Sequence, residues 1–422
     1  MTSVTSISRP QPVGVLPIPA GLLLLPTAGP AAAAALQHCM QGEIPSDLPS
    51  EWLFYASAAK GDTASALQHL ESHTTPEAHY NRFVLHPTAE DLTLLRASLT
   101  GDLRSLLDIA AYISGLEDNI PSTAHLDHEL LALALMTEAA AAIEHEQTPE
   151  ALDILHRAVE AARHTSPFFA VQLLAQMAAL RKTQPEPLRS QARKHLREAI
   201  DLLAAADIPA ADIPVPMPEL RTDLWMQLGI ACQESAQGRE SWMNESVQAY
   251  QEVLRGDLIP EEHRELFALA HNNLGLLFLT MPMTEAGKHL RMGIAVQSFR
   301  EALRLCDREA NPDLWASIQS NLANALQYLP SSHPEENLAQ AVELYEELVS
   351  VGRKAFDPVG YGKILSNQAN ALAHLGIFSP ALEKLQEARK LFEWHNETEL
   401  ANNAMDQVAS IHQKLNTVAE GN

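Results

Sequence analysis

Side-chain amides recur at matching positions of a repeated segment in the C-terminal half of the chain. Four of them stand two residues before a glycine or alanine, one more follows by continuing the repeat spacing, and two lie one helical turn further along. The set is Gln227, Asn273, Asn321, Asn324, Asn367, Asn370 and Gln407. An amide both donates and accepts hydrogen bonds, so a ladder of amides would hold the backbone of an extended peptide whatever its side chains. Alternatively, the amides bond to one another within the helix array, or to water.

A second candidate surface is basic. Arg189, Arg193 and Arg197 follow the i, i+4, i+8 spacing that places side chains on one stripe of a helix. Such a stripe would dock an acidic partner. The alternative is a solvated face, or internal pairing with acidic neighbours, which is the commoner fate of charged stripes.

The sequence gives little support for a metal-binding site or a catalytic site. His69 and His73 are spaced i, i+4, and His125, His128 and Glu129 lie close together, but neither group completes a recognised metal-ligand set. No phosphate-binding glycine loop, nucleophile elbow or dinucleotide-binding turn is visible. We therefore expect no catalytic residue, no bound metal and no cofactor.

The elements that would position the amides are pairs of helices. Each second helix carries a small residue followed four positions later by an aromatic residue or leucine, and three positions after that by a small or apolar residue. The small residues are Ala151, Ala192, Ser246, Ala295, Ala341 and Ala381. This spacing makes one apolar helix face. In the first helices, the small residues Gly229, Gly275, Ala323 and Ala369 would let the paired helices approach closely.

These segments resemble the tetratricopeptide repeat (TPR), whose first helix reads W-x2-L-G-x2-Y and whose second reads A-x3-F-x2-A. Trp225, Leu228 and Gly229 match the first pattern, and Ala295, Phe299 and Ala302 match the second. The longer repeats are also similar to those of kinesin light chains. The resemblance covers about two-thirds of the chain. It implies an all-α, right-handed solenoid of about six helix pairs, in which first helices line a concave groove.

The resulting domain prediction has six parts. They are an extended Pro/Ala-rich arm (1–49), N-terminal helical hairpins (50–125), degenerate TPR-like repeats (126–206), a proline-rich elbow (207–219), clear TPR-like repeats with a capping helix (220–415) and a tail (416–422). The N-terminal arm has rival interpretations as a membrane span or a signal peptide, but prolines interrupt its apolar stretch. Because an exposed uncharged stretch promotes aggregation, residues 12–26 are expected to lie in the protein's own groove or in a partner.

Composition narrows the partner class. The formal net charge is -24 over 422 residues, which disfavours nucleic-acid binding and favours basic or neutral partners. Three widely spaced cysteines indicate no disulfide framework, so we expect a reducing, cytoplasmic location. Because prolines interrupt the apolar N-terminal stretch, we also expect no membrane association.

The sequence thus predicts a non-catalytic adaptor, assembly factor or regulatory subunit that binds a protein or peptide in the groove. The alternatives are a sensor for a small molecule or signalling peptide, and an accessory subunit of an enzyme complex. The oligomeric state is left open, and a homo-oligomer is compatible with the sequence.

Overall fold

A computed structural model gives the fold. It describes residues 20–26, 35, 48–186, 188–206, 218–236, 238–282, 285–351 and 357–420. The described residues form eighteen α-helices, a few short 3-10 turns and no strand. The all-α prediction is confirmed.

Nine of these helices lie in the described part of the N-terminal half. They are α1 Leu53–Ala59, α2 Thr63–Leu70, α3 Pro76–Leu85, α4 Ala89–Ser98, α5 Gly101–Ile113, α6 His128–Glu144, α7 Thr148–Ala162, α8 Pro167–Lys182 and α9 Ala192–Ala206. Several begin at a residue that suits a helix start. For example, Thr75 accepts the backbone N–H of Ala78 at 3.2 Å, and Pro76 occupies the first turn of α3.

The other nine lie in the described part of the C-terminal half. They are α10 Pro218–Ser235, α11 Glu240–Arg255, α12 Arg264–Thr280, α13 Glu285–Leu305, α14 Pro312–Gln327, α15 Pro334–Ser350, α16 Pro358–His374, α17 Phe378–Trp394 and α18 Thr398–Glu420. The end helix was expected near Glu399 to Leu415, and α18 extends that range at its C-terminal end.

Successive helices pack as antiparallel pairs, as the TPR-like pattern predicts. Within the clear repeats, α12 packs on α13, α14 on α15 and α16 on α17. In addition, α12 contacts α14 and α14 contacts α16, so the first helices of neighbouring repeats lie side by side. Side chains on these three helices can therefore bond from one repeat to the next.

Small residues set the close approach within a pair. A Cβ added at Gly275 of α12 would lie 2.6 Å from the ring of Phe299 on α13, so the aromatic ring rests directly on the glycine. Gly362 of α16 meets Phe392 of α17 in the same way, at 2.7 Å. The predicted role of Gly275 is confirmed, whereas Gly362 was not singled out from the sequence.

The chain divides into two compact units, Met1–Ala231 and Cys232–Asn422. The division falls inside α10, whereas the predicted elbow covers 207–219, of which residues 207–217 lie outside the described part of the chain. The domain boundaries remain a prediction. None of the described helices is long and apolar enough to span a membrane.

In the described part of the region before the repeats, α3 is a helix that the sequence pattern did not predict. Helical hairpins were expected over 50–125, and α3 lies between the pair α1–α2 and the pair α4–α5. In the first unit, α1, α2 and α3 share a core with Leu23 and Leu25 of the N-terminal arm. The arm was expected to lie in the protein's own groove or in a partner, and its residues 22–25 are instead buried, with Leu23 and Leu25 packed against the hairpin region before the repeats.

Candidate functional site

Amides on α12 and α14 are joined across the repeat boundary. The Nδ2 of Asn321 on α14 donates to the Oδ1 of Asn272 on α12 at 3.0 Å. Asn272 is buried, and its own Nδ2 donates to the Oδ1 of Asn273 at 3.4 Å. Two residues of the predicted ladder, Asn273 and Asn321, are thus connected through a third amide.

A similar connection joins α14 to α16. The Nδ2 of Asn370 on α16 donates to the Oε1 of Gln327 and to the hydroxyl of Tyr328, both at 3.1 Å. Both N–H bonds of the Asn370 amide are used, and its carbonyl oxygen is left for another donor. The two connections are separate, one between α12 and α14 and one between α14 and α16, and together they place bonded amides on three neighbouring first helices.

Buried tyrosines on two second helices bond to amides on the first helices of their repeats. Tyr345 of α15 is fully buried, its hydroxyl donates to the Oδ1 of Asn324, and it accepts from the Nε2 of Gln327 at 2.8 Å. In the first clear repeat, the hydroxyl of Tyr250 donates to the Oε1 of Gln233 at 2.8 Å. Burial raises the pKa of both tyrosines, so each hydroxyl stays protonated and able to donate.

We call seven of the side-chain amides of α12, α14 and α16 the amide band, and Gln319 and Gln368 of the same helices are not counted in it. Its members are Asn272, Asn273, Asn321, Asn324, Gln327, Asn367 and Asn370. Every member other than Asn367 has at least one hydrogen bond described above. Asn367 is half-buried, and no partner for its amide lies among the residues that the structure describes. A complete donor and acceptor pair is therefore available at that point.

Two further polar side chains flank Asn367 on α16. The Oγ of Ser366 is buried without a hydrogen-bond partner in the described part of the chain, and so are both amide atoms of Gln368. Gln368 has no exposed surface, and it occupies the place that Leu274 and Leu322 take in the two preceding repeats. Residues 366–368 therefore place three consecutive polar side chains without described hydrogen-bond partners on one helix.

Two predicted residues lie apart from the amide band. Gln227 is on α10 and donates from Nε2 to the Oδ2 of Asp223 in the same helix at 2.6 Å. Gln407 is on α18, and its Oε1 is buried without a partner among the described residues. Both remain predictions as ligand contacts.

The basic residues of the predicted stripe all contact their own protein. Arg189 lies in a 3-10 turn before α9, and its Nε donates to the Gln184 carbonyl at 3.2 Å. Arg197 lies on α9 with its guanidinium 5.5 Å from the ring centroid of Trp225. Arg193 is half-buried on the same helix. These contacts favour internal pairing, and docking of an acidic partner stays a prediction.

Sequence reasoning missed Asn272, Gln327 and Tyr345 as parts of the site. A usable signal was present, because Gln233 and Gln327 each stand four residues after the small residue of the first helix. In both repeats the facing second-helix aromatic is a tyrosine, whereas it is Phe299 where the corresponding residue is Leu279. The paired glutamine and tyrosine mark the repeats in which a polar bond joins the two helices.

Within the described ranges, no group of three histidine, cysteine or acidic side chains could hold a metal ion. His69, His73, His125 and His128 therefore do not assemble into such a group with other described residues.

Comparison with known proteins gave solved structures of low similarity, including the following two. No family model matches the chain, and no curated protein matches it. The apo form of the quorum sensor NprR from B. thuringiensis is 13% identical, with a TM-score of 0.37, over 84% of this chain and 99% of that one. A Rap protein complexed with Competence and Sporulation Factor is 12% identical, with a TM-score of 0.34, over 86% and 94%. These scores are too low to carry an argument about function.

Proposed function

We propose that the protein is a non-catalytic peptide-binding adaptor or regulatory subunit, and that the amide band holds the backbone of an extended peptide segment. The observation that carries this proposal is that side-chain amides bond from α12 to α14 and, separately, from α14 to α16. Asn321 bonds to Asn272 at 3.0 Å and Asn370 bonds to Gln327 at 3.1 Å, which fixes these amides in place. Fixed amides bind with a smaller loss of side-chain entropy than free ones.

The available atoms suit a peptide backbone. Asn367 offers both a donor and an acceptor, and Asn370 offers its carbonyl oxygen. An extended peptide presents the complementary N–H and C=O groups at regular intervals. The band contains no charged side chain, so it would bind the backbone of many sequences, and selectivity would come from neighbouring side chains. The net charge of -24 favours a neutral or basic peptide.

The test begins with selection of binders from a random-peptide phage library on the full chain. The best peptide is then measured by fluorescence anisotropy against wild type, Asn367→Ala and Asn403→Ala. Asn403 is a matched control, because it is an exposed asparagine on α18 outside the amide band. Loss of one or two neutral hydrogen bonds should weaken binding about threefold to tenfold in Asn367→Ala. Asn403→Ala should bind like wild type.

Asn367 is the cleanest position for this test because its replacement breaks no hydrogen bond of the described fold. Replacing Asn321 would also remove the partner of buried Asn272 and would mix stability with binding. A peptide with N-methyl groups along its backbone supplies a second readout, since it cannot donate to the band. If that peptide and the Asn367→Ala variant both bind like their parents, the amide band does not hold peptide backbones.

A further inference from the structure

The first unit contains a short buried segment whose backbone is bonded by side chains of other elements, as the backbone of a bound peptide is. Leu22, Leu23, Leu24 and Leu25 have relative exposures of 3%, 0%, 4% and 3%. Residues 23–26 have no regular secondary structure, and they follow a 3-10 turn at Ala20–Leu22. A segment without regular structure must find partners elsewhere for its backbone groups when it is buried.

Asn81 on α3 supplies those partners at Leu24. The backbone N–H of Leu24 donates to the Oδ1 of Asn81 at 2.8 Å, and the Nδ2 of Asn81 donates back to the Leu24 carbonyl at 2.8 Å. The amide is 2% exposed, so both bonds are sheltered from water. One side chain therefore satisfies both backbone groups of one residue in the segment.

A second contact lies two residues further along. The indole Nε1 of Trp52 donates to the Pro26 carbonyl at 2.9 Å, and the Trp52 side chain is 1% exposed. Leu23 and Leu25, which alternate along the chain with Leu24 and Pro26, join the core cluster of α1, α2 and α3. The spacing of two is that of an extended chain, whose successive residues face opposite sides.

From this arrangement we infer that α1–α3 form a second peptide-binding site, specific for an extended, uncharged, leucine-rich segment, and that residues 22–26 are its ligand in cis. The recognition uses a backbone clamp by Asn81 and apolar pockets for Leu23 and Leu25. The segment carries no charge, which matches a site that offers one amide, one indole N–H and apolar surface. The inference is independent of the amide band, which lies in the other unit.

A full-length variant with the cis segment undocked tests this inference. Leu23→Asp together with Leu25→Asp places two charges in the apolar pockets and should release the segment while leaving the site intact. The probe is a fluorescein-labelled peptide of residues 17–27 with added lysines for solubility. Anisotropy should show saturable binding to the double variant and no binding to wild type, where the site is filled.

Adding Asn81→Ala to the double variant should weaken probe binding by a factor of about 100, because two buried hydrogen bonds are lost at about tenfold each. The control is Asn119→Ala, an exposed asparagine of the same unit, which should leave binding unchanged. Trp52→Phe should give a smaller loss, since it removes one donor and keeps the ring. Circular dichroism confirms that each variant is folded.

If the double variant does not fold, the milder Leu23→Ala chain takes its place, with weaker but measurable probe binding expected. A folded variant that does not bind the probe would overturn the inference, because the segment would then be a part of the core and not an exchangeable ligand. Equal binding with and without Asn81→Ala would overturn the clamp. Neither result depends on the amide band, so failure here leaves the proposed function untouched.

Discussion

Replacing Gln368 with leucine should stabilise the protein. The Gln368 side chain is fully buried, and neither its Nε2 nor its Oε1 has a hydrogen-bond partner within the described residues. The corresponding positions of the two preceding repeats are Leu274 and Leu322, both buried. Gln368→Leu therefore removes an unsatisfied amide and inserts a side chain that this position accommodates in the neighbouring repeats.

The magnitude follows from the cost of burying an amide without partners, which is about 1–3 kcal/mol in protein substitution data. Leucine adds apolar burial, while glutamine also has more side-chain entropy to lose on folding. We expect the free energy of unfolding to rise by about 1–3 kcal/mol, which for a unit of this size raises the Tm by roughly 3–9 °C.

Gln319 on α14 provides the matched control. It is also a buried glutamine, 2% exposed, but its Nε2 donates to the Leu344 carbonyl and to the Oε2 of Glu347, both at 2.9 Å. Gln319→Leu removes these two bonds and should lower the free energy of unfolding by about 1–2 kcal/mol. Both variants are measured by calorimetry on the full chain, following the transition of the second unit.

Opposite signs for the two substitutions are the essential result. If Gln368→Leu lowers the Tm as Gln319→Leu does, then the Gln368 amide has a partner in solution and the assignment of an unsatisfied group is wrong. If Gln368→Leu stabilises the chain and also weakens peptide binding, the unsatisfied amide is retained for function at the expense of stability.

Two further predictions concern the same unit. Tyr345→Phe should lower the free energy of unfolding by about 1–2 kcal/mol, measured by thermal unfolding, because Asn324 and Gln327 lose the hydroxyl that both bond to. The phenyl ring should still fit, as the ring of Phe299 does in the preceding repeat. An unchanged Tm would mean that water replaces the hydroxyl. Burial lowers the pKa of His271 in the folded chain. Below about pH 6.5 the unfolded chain therefore binds more protons at this residue than the folded chain does, and the Tm should fall as the pH drops. His271→Gln should reduce this fall in Tm scans from pH 7.5 to 5.5, and an identical fall in both chains would contradict the reasoning.

The repeat pattern predicts the helix pairs well because it depends on local spacing. A small residue, an aromatic residue four positions later and another small residue specify one packed face, and Ala295, Phe299 and Ala302 are all fully buried. The close contact of Gly275 with the Phe299 ring follows from the same local pattern. These features need no knowledge of distant parts of the chain.

The hydrogen bonds of the amide band depend on distances between repeats, which the pattern leaves open. The bond from Asn321 to Asn272 joins residues 49 positions apart, and the partner is the asparagine next to the predicted Asn273. A change of one residue along a helix rotates a side chain by about 100°, so position within the repeat alone cannot choose between them. The sequence identified the helices that carry amides, but not which amide bonds to which.

The third helix illustrates a different gap. Thr75 followed by Pro76 and Glu77 is a helix-start pattern, yet the short apolar stretch after it matches no repeat, and α3 was not predicted. Asn81 lies on α3 and was therefore not predicted either, since its role depends on the N-terminal arm that lies beside it in the structure. The apolar character of the arm predicts that another surface buries it, but only the folded structure identifies that surface as α1–α3.

The Asn81 clamp also bears on how the amide band would work. At Leu24 one asparagine satisfies both the N–H and the C=O of an extended residue, with both bonds at 2.8 Å. Asn367 has the same side chain, is half-buried and has no partner among described residues, so it can make the same pair of bonds to an incoming chain. The difference between the two sites is then the supply of ligand. The N-terminal site is filled by a segment of its own chain at high effective concentration, whereas the amide band, on our proposal, would take a separate peptide.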